Sequence, residues 1–144
     1  MVRAFDLKDT DTIMAIWLHT NMQAHHFIPS SYWNENFEMV KDMLPQADIY
    51  VYEKETIKGF IGIMNGYIAG LFVLEAEQSK GIGRQLLNVA QQKYPTLTLN
   101  VYEKNTRAIR FYEKHGFKIT DESIDMSTNE RELCMMWESH QKTK

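Results

Sequence analysis

Apolar positions along the chain recur with two periods, and together they predict eleven elements. Val2 to Phe5 reads as a short opening strand. Ile13, Ile16 and Trp17 recur at helical spacing and predict a helix from Asp9 to Thr20, with Asp9 or Thr10 as its cap. Asn21 to Ser30, which contains Pro29, reads as a loop. Trp33, Phe37, Val40 and Leu44 then mark a second helix from Ser31 to Leu44, stopped by Pro45. Asp48 to Tyr52 and Lys58 to Met64 form a predicted hairpin about Lys54-Glu55-Thr56, and Asn65-Gly66 turns the chain into an apolar strand from Ile68 to Leu74. Leu86, Leu87 and Ala90 return to helical spacing until Tyr94, before Pro95. Leu97, Leu99 and Val101 alternate with Thr98 and Asn100 in a strand from Thr96 to Tyr102. Ala108, Phe111 and Tyr112 form the inward stripe of a helix capped by Asn105 and ended by Gly116. Lys118 to Ser123 and Leu133 to Trp137 are closing strands joined by the polar stretch Asp125 to Glu130, and His140 to Lys144 reads as a frayed tail. The order β-α-α-β-β-β-α-β-α-β-β predicts an α/β fold with a mixed sheet and helices on both faces, in a single domain over residues 1–144.

The junction after the Ile68 strand carries the first chemical signal. A polar loop with Gly81 and Gly83 runs straight into a helix. The first N–H groups of a helix have no partner within it and carry the positive end of its dipole. Glycines there remove side chains that would keep an anion away, so a phosphate or pyrophosphate is expected on Gly81 to Arg84. Two familiar phosphate loops do not fit. A dinucleotide fingerprint needs a third glycine where Leu86 stands, and no Gly-Lys-Ser/Thr run exists for a P-loop.

The remaining pattern, Gln78-x-x-Gly81-x-Gly83, resembles the acetyl-CoA signature of the GCN5-related N-acetyltransferase (GNAT) superfamily. Downstream, Asn105-x-x-Ala108-x-x-Phe111-Tyr112-x-x-x-Gly116-Phe117 resembles the second motif of the same superfamily, in the same order. The run Ala24-His25-His26-Phe27-Ile28 is similar to a segment of small bacterial members near the YjaB-type subgroup. The resemblance implies an acetyl-CoA-dependent N-acetyltransferase acting on a primary amine of a small molecule, peptide or protein. It implies that Gln78, Ser79, Lys80, Gly81, Ile82, Gly83 and Arg84 bind the pyrophosphate, mostly through backbone N–H groups. It places Leu71, Phe72 and Val73 along the pantetheine arm, in a strand that splays from its neighbour, with a backbone N–H near Phe72 or Val73 polarising the thioester carbonyl. Asn105 would contact the arm or the loop beside it, and Tyr112 would point at the sulfur.

Composition bounds the rest. With 144 residues, 44% hydrophobic and 24% charged, the chain suits one globular core. A net charge of −3 gives no basic footprint for nucleic acid and mildly suits a cationic amine. No apolar run approaches membrane-spanning length. One cysteine, Cys134, excludes an internal disulfide, and with no signal peptide the expected location is the cytoplasm. Cys134 is expected to be a core thiol. No metal-ligand spacing is visible, and either a monomer or a homodimer is compatible with the sequence.

Acetyl transfer also needs a proton for the departing thiolate and a neutral amine. A phenol of pKa about 10 matches an alkyl thiolate, so within the motif Tyr112 is favoured as the acid over a tyrosine merely packed in the core. No carboxylate precedes Glu75 on the Ile68 strand, and Asn100 cannot act as a base. The base is left among His25, His26, Glu103, a water chain, or none, with His25 first. The competing reading of His25 is a surface histidine. Phe27 and Tyr32 are expected to line the acceptor pocket with His25, while Trp17 and Trp33 fit the core. Arg107, Arg110 and Lys114 share one helix face that reads as solvated. The missing carboxylate base keeps a second hypothesis open, an acetyl-CoA-binding sensor with little catalysis.

Overall fold

The computed structural model describes residues 1–139, and the predicted frayed tail lies outside them. Seven strands, β1 (Val2–Ala4), β2 (Asp48–Lys54), β3 (Thr56–Met64), β4 (Tyr67–Val73), β5 (Thr96–Tyr102), β6 (Lys118–Asp125) and β7 (Glu130–Glu138), form one sheet in the order β1-β2-β3-β4-β5-β7-β6. Four α-helices, α1 (Thr10–Ala24), α2 (Ser30–Met43), α3 (Ile82–Lys93) and α4 (Thr106–Lys114), complete the predicted order. All pairings are antiparallel except β4 with β5.

The sheet separates two apolar layers. On one face, Leu86, Leu87 and Ala90 of α3 and Tyr112 of α4 pack on Ile61, Ile63, Leu97, Leu99 and Met135. On the other, Ile13, Ile16 and Trp17 of α1 and Trp33 of α2 pack on Ile49, Val51 and Phe60. Trp17 and Trp33 meet edge to face at 5.8 Å. Leu86 and Leu87 are fully buried, so truncating either to alanine should cost about 2–5 kcal/mol.

The structure differs from the sequence reading at several boundaries. Helix α1 continues past Thr20 because its polar residues are satisfied within the helix. The Thr20 hydroxyl donates to the Ile16 carbonyl at 2.7 Å, and Asn21 Nδ2 donates to the Trp17 carbonyl at 2.9 Å. The loop therefore shrinks to residues 25–29. Pro45 does not end the chain's helical path but sits in a 3-10 turn, Leu44–Gln46, where its missing N–H is harmless. The β2–β3 turn is tight, with Lys54 opposite Thr56 and Glu55 alone at φ 71°. Cys134 is a correction. Leu133 and Met135 take the core side of β7, so period-two alternation puts Cys134 on the opposite face, half-buried, its S–H donating to Asn100 Oδ1 at 3.0 Å.

Candidate active site at the opening between two parallel strands

The parallel ladder between β4 and β5 is very short. Only Tyr67 with Thr98 and Ile68 with Leu99 are in register. The cause lies on the other side of β4, where pairing with β3 jumps from Gly62–Gly70 to Ile63–Ile68 and leaves Ala69 as an extra residue. Such a bulge bends its strand and sharpens the twist. Beyond it, residues 70–73 diverge from β5, leaving β5-facing main-chain groups with no ladder partner. Leu71 and Val73 pack toward α3 and α4, while Phe72 turns to the other layer and lies 5.1 Å from Phe60. A Cβ on Gly70 would stand 2.2 Å from the Phe72 ring, so glycine is what lets that ring fold back along the strand.

Beyond β4 the chain makes the loop on which the sequence reading expects an anion. Ser79 at φ 68° and Gly81 at φ 83° curl the loop into α3. The side chain of Gln78 closes it, with Nε2 donating to the Val73 carbonyl at 2.9 Å, and Lys80 pairs with Glu77 at 3.2 Å. No side chain caps α3, so the N–H groups of Ile82, Gly83 and Arg84 stand free at the positive end of the helix. At Gly83 an added Cβ would reach the Phe111 ring at 3.4 Å, so this glycine also sets the close approach of α3 to α4. These features fit a pyrophosphate.

Asn105 follows β5 and caps α4, its Oδ1 accepting the Ala108 N–H at 3.2 Å. Its Nδ2 reaches His25 Nε2 at 3.1 Å, and His25 Nδ1 reaches Asn21 Oδ1 at 3.1 Å. His25 closes α1 and is half-buried, stacked on Trp33 at 5.5 Å and edge-on to Tyr102 at 5.1 Å. Burial pushes its pKa down to about 4. Both ring nitrogens are occupied, so His25 has no lone pair to offer an amine, and the base role expected of it does not fit its bonding. Of the other candidates, His26 is exposed and Glu103 pairs with Arg131 at 3.2 Å.

Phe27 stands edge-on to His25 at 5.7 Å and to Tyr102 at 5.8 Å, with the Lys104 ammonium 5.3 Å from its ring centre. Tyr32 meets Trp33 edge-on at 4.9 Å, and burial, followed by the Asp125 carboxylate, raises its pKa. Tyr102 joins these residues to the β6–β7 hairpin, its hydroxyl donating to Asp125 Oδ2 at 2.7 Å. Burial and the Asp125 carboxylate also raise the Glu132 carboxyl. His25, Phe27 and Tyr32 thus share one aromatic wall with two residues the sequence reading did not single out, Tyr102 and Asp125. The alternation of Thr98, Asn100 and Tyr102 against Leu97, Leu99 and Val101 did carry the signal for Tyr102, since it puts that ring on the non-core face.

Tyr112 lies on the opposite face of the sheet, in contact distance of Phe111 and Phe117. Burial, then the neighbouring Tyr67, pushes its phenol far above its ordinary pKa. It is therefore a neutral O–H at any ordinary pH.

A splayed strand, a glycine loop at a helix start and an asparagine-capped helix bearing a buried tyrosine are the features that the sequence reading expects of an acyl-CoA-dependent acyltransferase. A sequence model of the acetyltransferase (GNAT) domain matches residues 45–119, and the chain belongs to this family. It is 34% identical to the peptidyl-lysine N-acetyltransferase YiaC of Escherichia coli over 140 residues, covering 95% of this chain and 96% of that one. It is also 34% identical to the peptidyl-lysine N-acetyltransferase YjaB of Salmonella typhimurium, with 81% of each chain covered. The solution structure of apo YjaB from Escherichia coli superposes with a TM-score of 0.83 at 29% identity, over 95% of this chain and 96% of that one. The yncA protein of Salmonella typhimurium, solved with its cofactor acetyl-CoA, shares the fold, with a TM-score of 0.70 at 17% identity over 96% and 92% of the two chains. The chain is an acetyl-CoA-dependent N-acetyltransferase with an amine-bearing acceptor. Among the described residues no group of side chains could hold a metal ion, and no helix is long and apolar enough to cross a membrane.

Proposed function

We propose that this enzyme acetylates lysine side chains of peptides or proteins in the cytoplasm, acting as a single domain by direct attack of the amine. The observation that carries the reading is the opening after Ile68, which has the glycine seat following one strand and Asn105 following the other. The peptidyl-lysine activity named for YiaC and YjaB supports the acceptor class.

Acetyl-CoA supplies the acetyl thioester. The backbone N–H groups of Gly81 to Arg84 hold its pyrophosphate, with Gln78, Ser79 and Lys80 shaping the loop beneath. Main-chain groups of Leu71, Phe72 and Val73 bind the arm as a neighbouring strand would, and an N–H near Phe72 or Val73 polarises the carbonyl. Asn105 holds the arm from the β5 side. The acceptor enters along Phe27, Tyr32 and Tyr102, where ring faces and the Asp125 and Glu132 carboxylates favour a cationic side chain. The amine loses its proton to solvent before attack. As the C–N bond forms and the C–S bond breaks, the Tyr112 hydroxyl gives its proton to the leaving sulfur and is reprotonated from solvent. Burial keeps Tyr112 protonated at every working pH and also raises its phenol above the value that matches an alkyl thiolate, so the proton is always present but its transfer to the sulfur is uphill.

The reading is tested by incubating the protein with acetyl-CoA and an N-terminally blocked peptide containing one lysine, followed by mass spectrometry. Acetylation at the lysine, rising with pH as the amine deprotonates, is the expected outcome. Acetyl-CoA binding with no transfer to this peptide, while a small polyamine is acetylated, would move the acceptor to another class.

A further inference from the structure

One hydrogen-bonded chain runs through the site and crosses 80 residues of sequence between its two central members. It starts at a backbone carbonyl of α1 and ends at a backbone N–H of α4. The Trp17 carbonyl can only accept, so Asn21 presents Nδ2 to it at 2.9 Å and turns Oδ1 toward His25. His25 Nδ1 must therefore carry the proton. At the far end the Ala108 N–H can only donate, so Asn105 presents Oδ1 to it and turns Nδ2 toward His25. His25 Nε2 must therefore accept. Both ends demand the same neutral tautomer: a reversed Asn21 would set its Oδ1 against the Trp17 carbonyl, and a reversed Asn105 would leave the Ala108 N–H unpaired. Burial agrees with this state, since it disfavours the imidazolium.

The chain joins two parts that share no secondary structure. His25 packs among Phe27, Trp33 and Tyr102 on the acceptor side. Asn105 caps the helix that carries Tyr112 and borders the opening. Without an acceptor at His25, the Asn105 amide loses one of the two bonds that hold it, and only the Ala108 N–H still fixes its orientation. A rotated amide would give up the Ala108 N–H and loosen the first turn of α4.

We propose that His25 is a positioning residue for acetyl transfer: its Nε2 fixes the orientation of the Asn105 amide and thereby couples the aromatic acceptor wall to the acetyl-CoA side. This rests on the reading of Asn105 and Tyr112 given above. In this role His25 keeps one neutral tautomer through turnover instead of accepting a proton.

Two substitutions separate the two ring nitrogens. His25→Gln places an amide oxygen near the Nε2 position and keeps an acceptor for Asn105. His25→Asn places its amide near the Nδ1 position and keeps only the link to Asn21. Both lose the stacking on Trp33, so that loss cancels between them. With acetyl-CoA titrated calorimetrically, His25→Asn should weaken binding roughly tenfold, and His25→Gln should stay within roughly threefold of the parent. The double variant His25→Asn/Asn105→Ala should bind no more weakly than Asn105→Ala alone, because His25 acts through Asn105. A merely structural role would lower Tm alike in both His25 variants and leave their affinities equal, which overturns the proposal. Additive losses in the double variant overturn it as well. If Asn105→Ala changes neither acetyl-CoA affinity nor the rate of thiol release with a lysine peptide, the reading of Asn105 fails first, and the positioning role falls with it. If Asn105→Ala is impaired and His25→Asn is not, only the positioning role falls.

Discussion

Under the proposed function the glycine loop leading into α3 holds the cofactor and the aromatic wall around Tyr102 holds the acceptor, and the two are built in opposite ways. The loop uses backbone. Its donors are N–H groups of consecutive residues, exposed by Gly81 at φ 83° and by a helix start without a side-chain cap. The wall uses side chains from three distant segments, with His25 and Phe27 after α1, Tyr102 at the end of β5, and Asp125 at the end of β6. A backbone seat tolerates change in its neighbours but not in its own conformation. A side-chain wall can change residue by residue while the sheet beneath stays the same. A single cofactor therefore fits the first design, and differing acceptors fit the second.

The sharpest way to break the comparison is Gly81→Val. A branched residue at φ 83° is strained, and its Cβ would stand 3.2 Å from the Arg84 guanidinium, inside the phosphate seat. Acetyl-CoA affinity should fall by roughly a hundredfold or more if several N–H contacts are lost together. The loss should appear by calorimetry while the circular dichroism spectrum is retained. Next in size is Tyr112→Phe. It should keep acetyl-CoA affinity and lower kcat roughly 10–100-fold, because it removes only a proton donor. An unchanged kcat would remove Tyr112 from the chemistry. Since its phenol lies well above the usual range, the parent rate should show no alkaline fall assignable to Tyr112 at ordinary pH.

Smaller effects should sharpen the division. Tyr102→Phe loses the 2.7 Å bond to Asp125 and should raise KM for a lysine peptide roughly three- to tenfold, with acetyl-CoA affinity unchanged. A matching loss of acetyl-CoA affinity would show that the wall and the seat are not separable there. The smallest effect is on stability. In the unfolded chain His25 titrates near 6.5, and in the folded chain near 4. The unfolded chain thus binds more protons between these values. This contribution is complete above about 6.5 and is lost as pH falls toward 4. The drop in Tm from pH 7 to pH 4.5 should be larger in the parent than in His25→Gln. Carboxylates weaken both proteins alike, among them Asp9, which its bond to Arg3 holds below the usual range.

The same contrast explains what could be read from the sequence. Gly81, Gly83, Asn105 and Tyr112 stand at fixed spacings because a helix start and a helix cap are local structures. The order of all eleven strands and α-helices was legible for the same reason, since each rests on its own apolar period. The wall was legible only in part. Phe27 and Tyr32 drew attention as aromatic residues beside a loop, whereas Tyr102 and Asp125 meet only through the pairing of β5, β7 and β6. His25 was singled out for its type, but its state depends on Asn21 four residues away and Asn105 eighty residues away. The bulge at Ala69 left no mark in the apolar pattern, because an extra residue in β4 is defined only by its register against β3.

The most direct test is one calorimetric series, with acetyl-CoA titrated into the parent, Gly81→Val and Tyr102→Phe. The account predicts binding at roughly one acetyl-CoA per chain in the parent, the same affinity in Tyr102→Phe, and none measurable in Gly81→Val. Undiminished binding by Gly81→Val, or its loss in Tyr102→Phe alone, would contradict the assignment of the cofactor to the backbone seat and the acceptor to the wall.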